Sequence, residues 1–298
     1  MQKLADVEAF LKDYDTFLID CDGVLWRGAV LLPNTKEVLS QLRQMGKRLI
    51  FVTNNSTKSR EQYKSVFAKF DIEVAKEEIV SSSYAAAYYL SSHVRLHEKK
   101  QKVYLLGESG VAQELEEVGI EWVGGEAHKE HKSMPDLAFL PVDDQIGAVL
   151  VGFDGWINYH KLAYAMVHLT QNKECMLVAT NRDLTFPSSG HLLPGGGTMV
   201  AAVEACSGRV ATTVGKPAPI LMELILERFE LDKSRTCMIG DRLDTDIQFG
   251  NEGGVATLLV LTGVTTKEAA LSPDNAIRPT YYTDAFQDLL LPSSSSSS

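Results

Sequence analysis

Long hydrophobic runs are missing from this chain. The longest apolar stretches, residues 256–261 and 148–152, fall far short of the roughly 18 positions that a membrane-spanning helix requires, so an integral membrane protein is not expected. Positive charge is also scarce, with 29 Lys and Arg against 39 Asp and Glu and a formal net charge of −10. No basic block rises from that background to meet a phosphate backbone, and nucleic acid is not an expected partner. Cysteine is rare as well: Cys21, Cys175, Cys206 and Cys237 stand singly in apolar surroundings, without the CxxC spacing of a zinc or redox site. They read as reduced, mostly buried thiols. The first dozen residues carry neither the apolar core of a secretory signal nor the Arg- and Ser-rich look of a transit peptide, which points to the cytoplasm, or to a plastid if a transit peptide has been removed. The serine run 293–298 has nothing to pack with and is set aside as a disordered tail.

What remains is ordinary globular usage, 45% hydrophobic and 23% charged, at a length of 298 residues that suits one or two cores. Short apolar runs alternate with amphipathic stretches, the pattern of parallel α/β architecture. Strands are expected at 16–20, 48–53, 103–106, 148–152, 176–180, 236–240 and 256–261, most of them continuous apolar runs suited to a sheet covered on both faces. Packing helices are expected at 35–45, 59–70, 82–92, 159–171, 198–206 and 217–229, where apolar residues recur at spacings of three and four. Two stretches break the rhythm. Residues 121–147 read as an irregular surface connection, and 181–197, with two prolines and four glycines, as a long loop built for a purpose. Strands on either side of 102–209 end in carboxylates, whereas those within it do not, so the middle reads as a domain inserted into an outer one.

Chemistry concentrates where apolar runs stop. Phe17-Leu18-Ile19-Asp20-Cys21-Asp22-Gly23-Val24-Leu25-Trp26 ends a strand in two carboxylates one residue apart. Ligands of open parallel sheets bind at such carboxyl ends. That spacing can aim one acid at a metal and substrate and hold the other above it for proton transfer, although an Asp-Gly turn accounts equally well for the motif alone. A calcium loop is set aside because the required oxygen ligands do not follow. Thr53-Asn54-Asn55-Ser56 offers small donors directly after a strand, suited to phosphate oxygens and equally to a plain helix cap. Lys216, in Gly215-Lys216-Pro217, is placed to neutralise a phosphoryl group at a helix start; a solvated surface charge is the bland alternative. Cys237 to Gly240 leads into Asp241-Arg242-Leu243-Asp244-Thr245-Asp246. Asp241 can complete a hard oxygen site with Asp20, of the kind that suits Mg²⁺. Asp246 is spaced to orient a metal-bound water or Lys216, and Asp244 reads as a helix cap.

Taken together, DxDGVLW, TNN, GKP and GDRxDTD, in that order at strand ends, resemble the four motifs of the haloacid dehalogenase-like phosphohydrolases. GVLWRG, TNNSTKSR and GDRLDTD are similar to the subgroup of phosphoglycolate and 4-nitrophenyl phosphatases, along nearly the whole chain. The resemblance implies a Rossmann-like, doubly wound parallel sheet core over 1–101 and 210–292, with an α/β cap of the C2 type over 102–209. It implies Asp20 as the nucleophile that forms an aspartyl-phosphate and Asp22 as acid and base. Thr53, Asn54, Asn55 and Lys216 would hold the phosphoryl group. Mg²⁺ would take the Asp20 carboxylate, the Asp22 main-chain carbonyl and the Asp241 carboxylate, with Asp246 in support.

In this subgroup a cap loop reads the substrate, here 181–197, with Arg182, Phe186 and His191 as candidate readers. Each has a structural alternative: an ion pair for Arg182, cap core for Phe186, a surface position for His191. A histidine is expected at the Phe186 position in mammalian pyridoxal phosphatases, so its absence argues against a pyridoxal phosphate preference. The resemblance implies 2-phosphoglycolate as substrate, 4-nitrophenyl phosphate as an accepted ester, and a homodimer formed through the cap. A phosphatase for pyridoxal 5′-phosphate or another small metabolite, and a phosphotransferase using the same nucleophile, are the alternatives. A non-catalytic binding module would have no need of both acids.

Overall fold

The computed structural model describes residues 2–292 except 131, 133–136, 138–139 and 189; the serine run 293–298 lies outside the described residues. They form two compact units, one comprising the chain up to Thr53, Ala68–Ile79 and the chain from Met222, the other Asn54–Phe67 and Val80–Leu221. Both are mixed α/β structures built on parallel strands, the class that the alternation of apolar runs and amphipathic stretches predicts.

In the first unit the strand Thr16–Ile19 lies between Arg48–Thr53 and Thr236–Gly240, parallel to both. Ala256–Val260, Tyr281–Thr283 and Gln2–Lys3 extend the sheet beyond Thr236–Gly240, again in parallel. The central strands are buried along their length, which is why they read as unbroken apolar runs instead of alternating ones. From Thr16–Ile19 the chain winds outward to Arg48–Thr53 on one side, while the later strands run outward on the other. The winding therefore reverses between Thr16–Ile19 and Thr236–Gly240, and the carboxyl ends of those two strands border the crevice where open α/β sheets bind ligands. Their register pairs Ile19 with Ile239, so that Asp20 and Asp241 leave the sheet side by side.

The second unit holds a five-stranded parallel sheet in the order Thr212–Thr213, Met176–Ala179, Ile146–Val151, Lys102–Leu106, Trp122–Gly124. Ala165 and Leu169 from the helix Tyr159–Gln171, and Met199, Val200 and Val203 from Gly196–Ser207, pack with Tyr104, Val149, Val151 and Leu177 of the sheet. The first of these helices is capped by Asn158, whose side chain accepts the Lys161 N–H at 3.1 Å.

The two stretches expected to be irregular contain regular structure. Within 121–147, Trp122–Gly124 adds an edge strand, and a short helical turn, Gly125–His128, follows. Only three residues long and ended by two glycines, that strand offers too little periodicity to stand out. Within 181–197, Thr185–Ser188 pairs antiparallel with His191–Pro194, Ser188 opposite His191 and Thr185 opposite Pro194. This ribbon has no fully buried position on either strand, so no hydrophobic alternation marks it. Both of its strands are edges, which is where proline is tolerated. The helices Val7–Asp13 and Ser109–Glu117 also lie outside the expected set.

Lys161 and Asp154, both fully buried, meet at 2.6 Å inside the second unit. Removing one partner would leave the other charge uncompensated away from water, so Lys161→Met is expected to lower stability by about 3–5 kcal/mol. Equilibrium unfolding in urea checks this; a loss of under about 1 kcal/mol would mean that water reaches Asp154.

Candidate active site

Asp20, Asp241 and Asp246 are buried, and each supplies a carboxylate oxygen that lies within 4.8 Å of the others. The sheet brings the first two together: the Asp20 N–H donates to the Ile239 carbonyl at 2.9 Å, which carries the strand ladder one residue past Ile19. Asp246 is returned to the same place by the turn that follows Gly240, its Oδ2 accepting the backbone N–H groups of Asp241 at 3.2 Å and Arg242 at 3.1 Å. Asp241 is fixed again from the chain beyond Ala256–Val260, where the Val264 N–H donates to its Oδ2 at 2.6 Å and the Thr265 N–H to its carbonyl at 3.1 Å. Asp244 leans away, taking the Arg242 guanidinium at 2.7 Å.

Three glycines make this crowding possible. A Cβ on Gly263 would overlap Asp241 Oδ2, one on Gly240 would overlap Asp246, and one on Gly23 would stand 2.7 Å from the Asp241 carboxylate. Gly23 also has φ +88°, a left-handed conformation that glycine adopts without strain. Like-charged carboxylates held this close and dry oppose one another. An all-oxygen donor set of this kind fits a hard divalent cation that keeps several of its waters.

Asp22 is solvent-exposed, on a turn closed by the Gly23 N–H to the Trp26 carbonyl at 2.7 Å. Its Oδ1 accepts the indole N–H of Trp26 at 3.0 Å. Gly263, Val264 and this role of Trp26 escape sequence reading. Trp26 stands inside the quoted motif, and no local signal ties 263–264 to Asp241.

Thr53 is the last residue of its strand and is buried. In the second unit Asn54 donates through Nδ2 to the Lys216 carbonyl at 2.9 Å and to Asp183 Oδ2 at 3.2 Å. The Asn54 carbonyl accepts from Ser82 Oγ at 2.5 Å and Asn181 Nδ2 at 2.8 Å, while its Oδ1 is buried without a hydrogen-bond partner. Asn55 Oδ1 takes both the N–H and the hydroxyl of Thr57. Lys216 is only 2% exposed, which removes the reading of a solvated surface lysine. Of the loop candidates, Arg182 pairs with Glu204 at 2.6 Å and donates to Thr213 at 2.8 Å. Its guanidinium holds the Glu204 carboxyl below the usual carboxylate range. Phe186 meets Phe153 edge to face at 5.4 Å, and His191 is exposed on the ribbon.

Comparison with known proteins places this geometry. Residues 17–121 match the model of the haloacid dehalogenase-like hydrolases, and 213–289 a second model, described as HAD-hydrolase-like. The chain is 43% identical to phosphoglycolate phosphatase 1A of Arabidopsis thaliana, named as chloroplastic, over 98% of this chain and 80% of that protein. It belongs to the haloacid dehalogenase-like hydrolases. A crystal structure of 4-nitrophenylphosphatase from Thermotoga maritima superposes with TM-score 0.80 at 28% identity, covering 96% of this chain and 98% of that one. A glycerol phosphate phosphatase of Mycobacterium tuberculosis, solved in complex with magnesium, does so with TM-score 0.78 at 29% identity, over 96% and 78%. The hydrolase is accordingly a phosphatase of phosphate monoesters. No helix among its described residues is long and apolar enough to cross a membrane.

If the glycines set the carboxylate geometry, Gly263→Ala should cut kcat/KM for 4-nitrophenyl phosphate at least about tenfold, since a misplaced group costs far more in rate than in binding. Gly46→Asn, in open space at φ +71°, should leave it unchanged. Equal activity in both variants would show that the Asp241 position tolerates displacement.

Proposed function

We propose that this hydrolase cleaves 2-phosphoglycolate to glycolate and phosphate with the help of Mg²⁺, through an aspartyl-phosphate formed on Asp20. The observation that carries the chemistry is the buried trio Asp20, Asp241 and Asp246 at the switch of the doubly wound sheet. The identity with a phosphoglycolate phosphatase supports the substrate.

In this reading the Asp20 carboxylate, the Asp22 main-chain carbonyl and the Asp241 carboxylate would hold Mg²⁺, which would neutralise negative charge on the phosphoryl oxygens. Asp246, through its hold on the Asp241 and Arg242 amides, keeps the Asp241 loop in place. One Asp20 oxygen attacks phosphorus, the bond to the leaving oxygen breaks, and Asp22 delivers a proton to that oxygen. Asp22 then removes a proton from the water that attacks the aspartyl-phosphate, which frees Asp20 and releases phosphate. Thr53, Asn54, Asn55 and Lys216 hold the phosphoryl oxygens, their hydroxyl, amide and ammonium donors being of the kind that phosphoryl transfer demands. Residues 1–101 and 210–292 supply the catalytic core in this scheme, and 102–209 form a cap that carries Arg182, Phe186 and His191 toward the leaving group and joins two copies into a homodimer. The working compartment is the cytoplasm, or a plastid by analogy with the chloroplastic relative.

Phosphate release from 2-phosphoglycolate, glycerol phosphate, pyridoxal 5′-phosphate and 4-nitrophenyl phosphate, with Mg²⁺ and with EDTA, tests the substrate and the metal together. Hydrolysis led by phosphoglycolate and abolished by EDTA is the expected result; another leading ester would retain the chemistry and overturn the substrate. Asp20→Asn, which keeps the shape and removes the nucleophile, should leave less than about a thousandth of the wild-type turnover. A tenth remaining would remove Asp20 from that role.

A further inference from the structure

The carboxyl group assigned to proton transfer is the exposed one. Asp20, Asp241 and Asp246 are clamped by burial and by backbone amides, whereas Asp22 projects from a turn at the surface of its unit. An exposed aspartate samples several rotamers, and a general acid that wanders loses the positioning on which its contribution depends. The indole of Trp26 meets that need. Its Nε1–H donates to Asp22 Oδ1 at 3.0 Å, and the ring that carries it is 3% exposed and stacked on Phe70, with centroids 5.7 Å apart and planes at 23°. The backbone beneath is fixed too. Trp26 accepts the Gly23 N–H, donates its own N–H to the Cys21 carbonyl at 3.3 Å, and begins a two-stranded ribbon in which it pairs with Leu31.

We infer that Trp26 is a positioning residue for proton transfer: its buried indole holds one oxygen of Asp22, so that the other carries the proton to the leaving oxygen. As the bond between phosphorus and the leaving oxygen breaks, that proton passes to the departing alkoxide and Asp22 is left as the carboxylate, still bound to the indole. The inference rests on the assignment of Asp22 as the acid.

The test exploits leaving groups of different need. An alkoxide such as that of 2-phosphoglycolate is a poor leaving group and departs with a proton, while 4-nitrophenolate leaves without one. The parameter kcat/KM covers the steps up to departure and excludes the later hydrolysis of the aspartyl-phosphate, so Asp22's role as base does not enter. Trp26→Phe keeps an aromatic ring beside Phe70 while removing the N–H and part of the indole's volume. It should lower kcat/KM for 2-phosphoglycolate, or for whichever alkyl ester the enzyme prefers, by about 10- to 100-fold and that for 4-nitrophenyl phosphate by less than about threefold. Turnover of the aryl ester thereby reports that the variant is folded. Asp22→Asn should show the same selectivity more strongly, and adding Trp26→Phe to it should cost little more. A selective Asp22→Asn beside a Trp26→Phe that slows both esters alike, or neither, overturns the inference alone. An unselective Asp22→Asn overturns the assignment of Asp22, and the role of Trp26 with it.

Discussion

Three carboxylates confined within a few ångströms of one another repel, and this repulsion is the constraint around which the first unit is organised. The sheet supplies the opposing restraint. Thr16–Ile19 and Thr236–Gly240 are buried parallel neighbours whose register pairs Ile19 with Ile239, and a one-residue slip would turn every buried side chain of either strand to the opposite face. Asp20 and Asp241 therefore cannot separate without unpairing the centre of the sheet. A divalent cation held by the Asp20 and Asp241 carboxylates, as proposed, would turn that repulsion into attraction, so part of its affinity would come from relief of the repulsion.

The same constraint explains the glycines. Carboxylates packed this closely leave no room for a Cβ at Gly23, Gly240 or Gly263, although the three lie far apart in sequence. Gly23 belongs to a turn that any reader of the motif would expect. Gly263 follows the strand Ala256–Val260 by three residues, in a segment with no apparent chemistry, and yet its neighbour Val264 donates to Asp241. Its role follows from the sheet order, because Ala256–Val260 is the strand next to Thr236–Gly240 and the two end together. Contacts between segments adjacent in the sheet but remote in the chain leave no local signature.

Legibility in the sequence follows burial. Thr16–Ile19, Arg48–Thr53 and Thr236–Gly240 are interior strands of a parallel sheet, and continuous burial writes itself as a continuous apolar run. The carboxylates that follow Ile19 and Gly240 were legible for the same reason, since an abrupt charge stands out at the end of such a run. Trp122–Gly124 and the ribbon Thr185–Ser188 with His191–Pro194 were hidden because they are short and only partly buried, which leaves neither a run nor an alternation to read. Asp22 and Trp26 were both visible, but the hydrogen bond between them depends on how the turn that joins them closes. Spacing alone does not specify that closure.

Substrate choice is decided where these rules give least guidance. Every phosphate monoester presents the same phosphoryl group, so discrimination has to come from residues that meet the leaving group. Among the candidates, Arg182 has the charge to read a carboxylate such as that of glycolate, but its guanidinium is already engaged by Glu204, and the Ala211 N–H holds the same acid at 2.7 Å. Glu204 stays ionised well below neutral pH in that pairing, so an anionic ligand approaching Arg182 meets a compensated charge. For Arg182 to act as a reader it must exchange Glu204 for substrate, a competition whose outcome depends on what the ligand offers beyond its charge. Phe186 and His191 carry no such prior commitment to an acid. As proposed readers they would act by shape and hydrogen bonding, where Arg182 would act by charge.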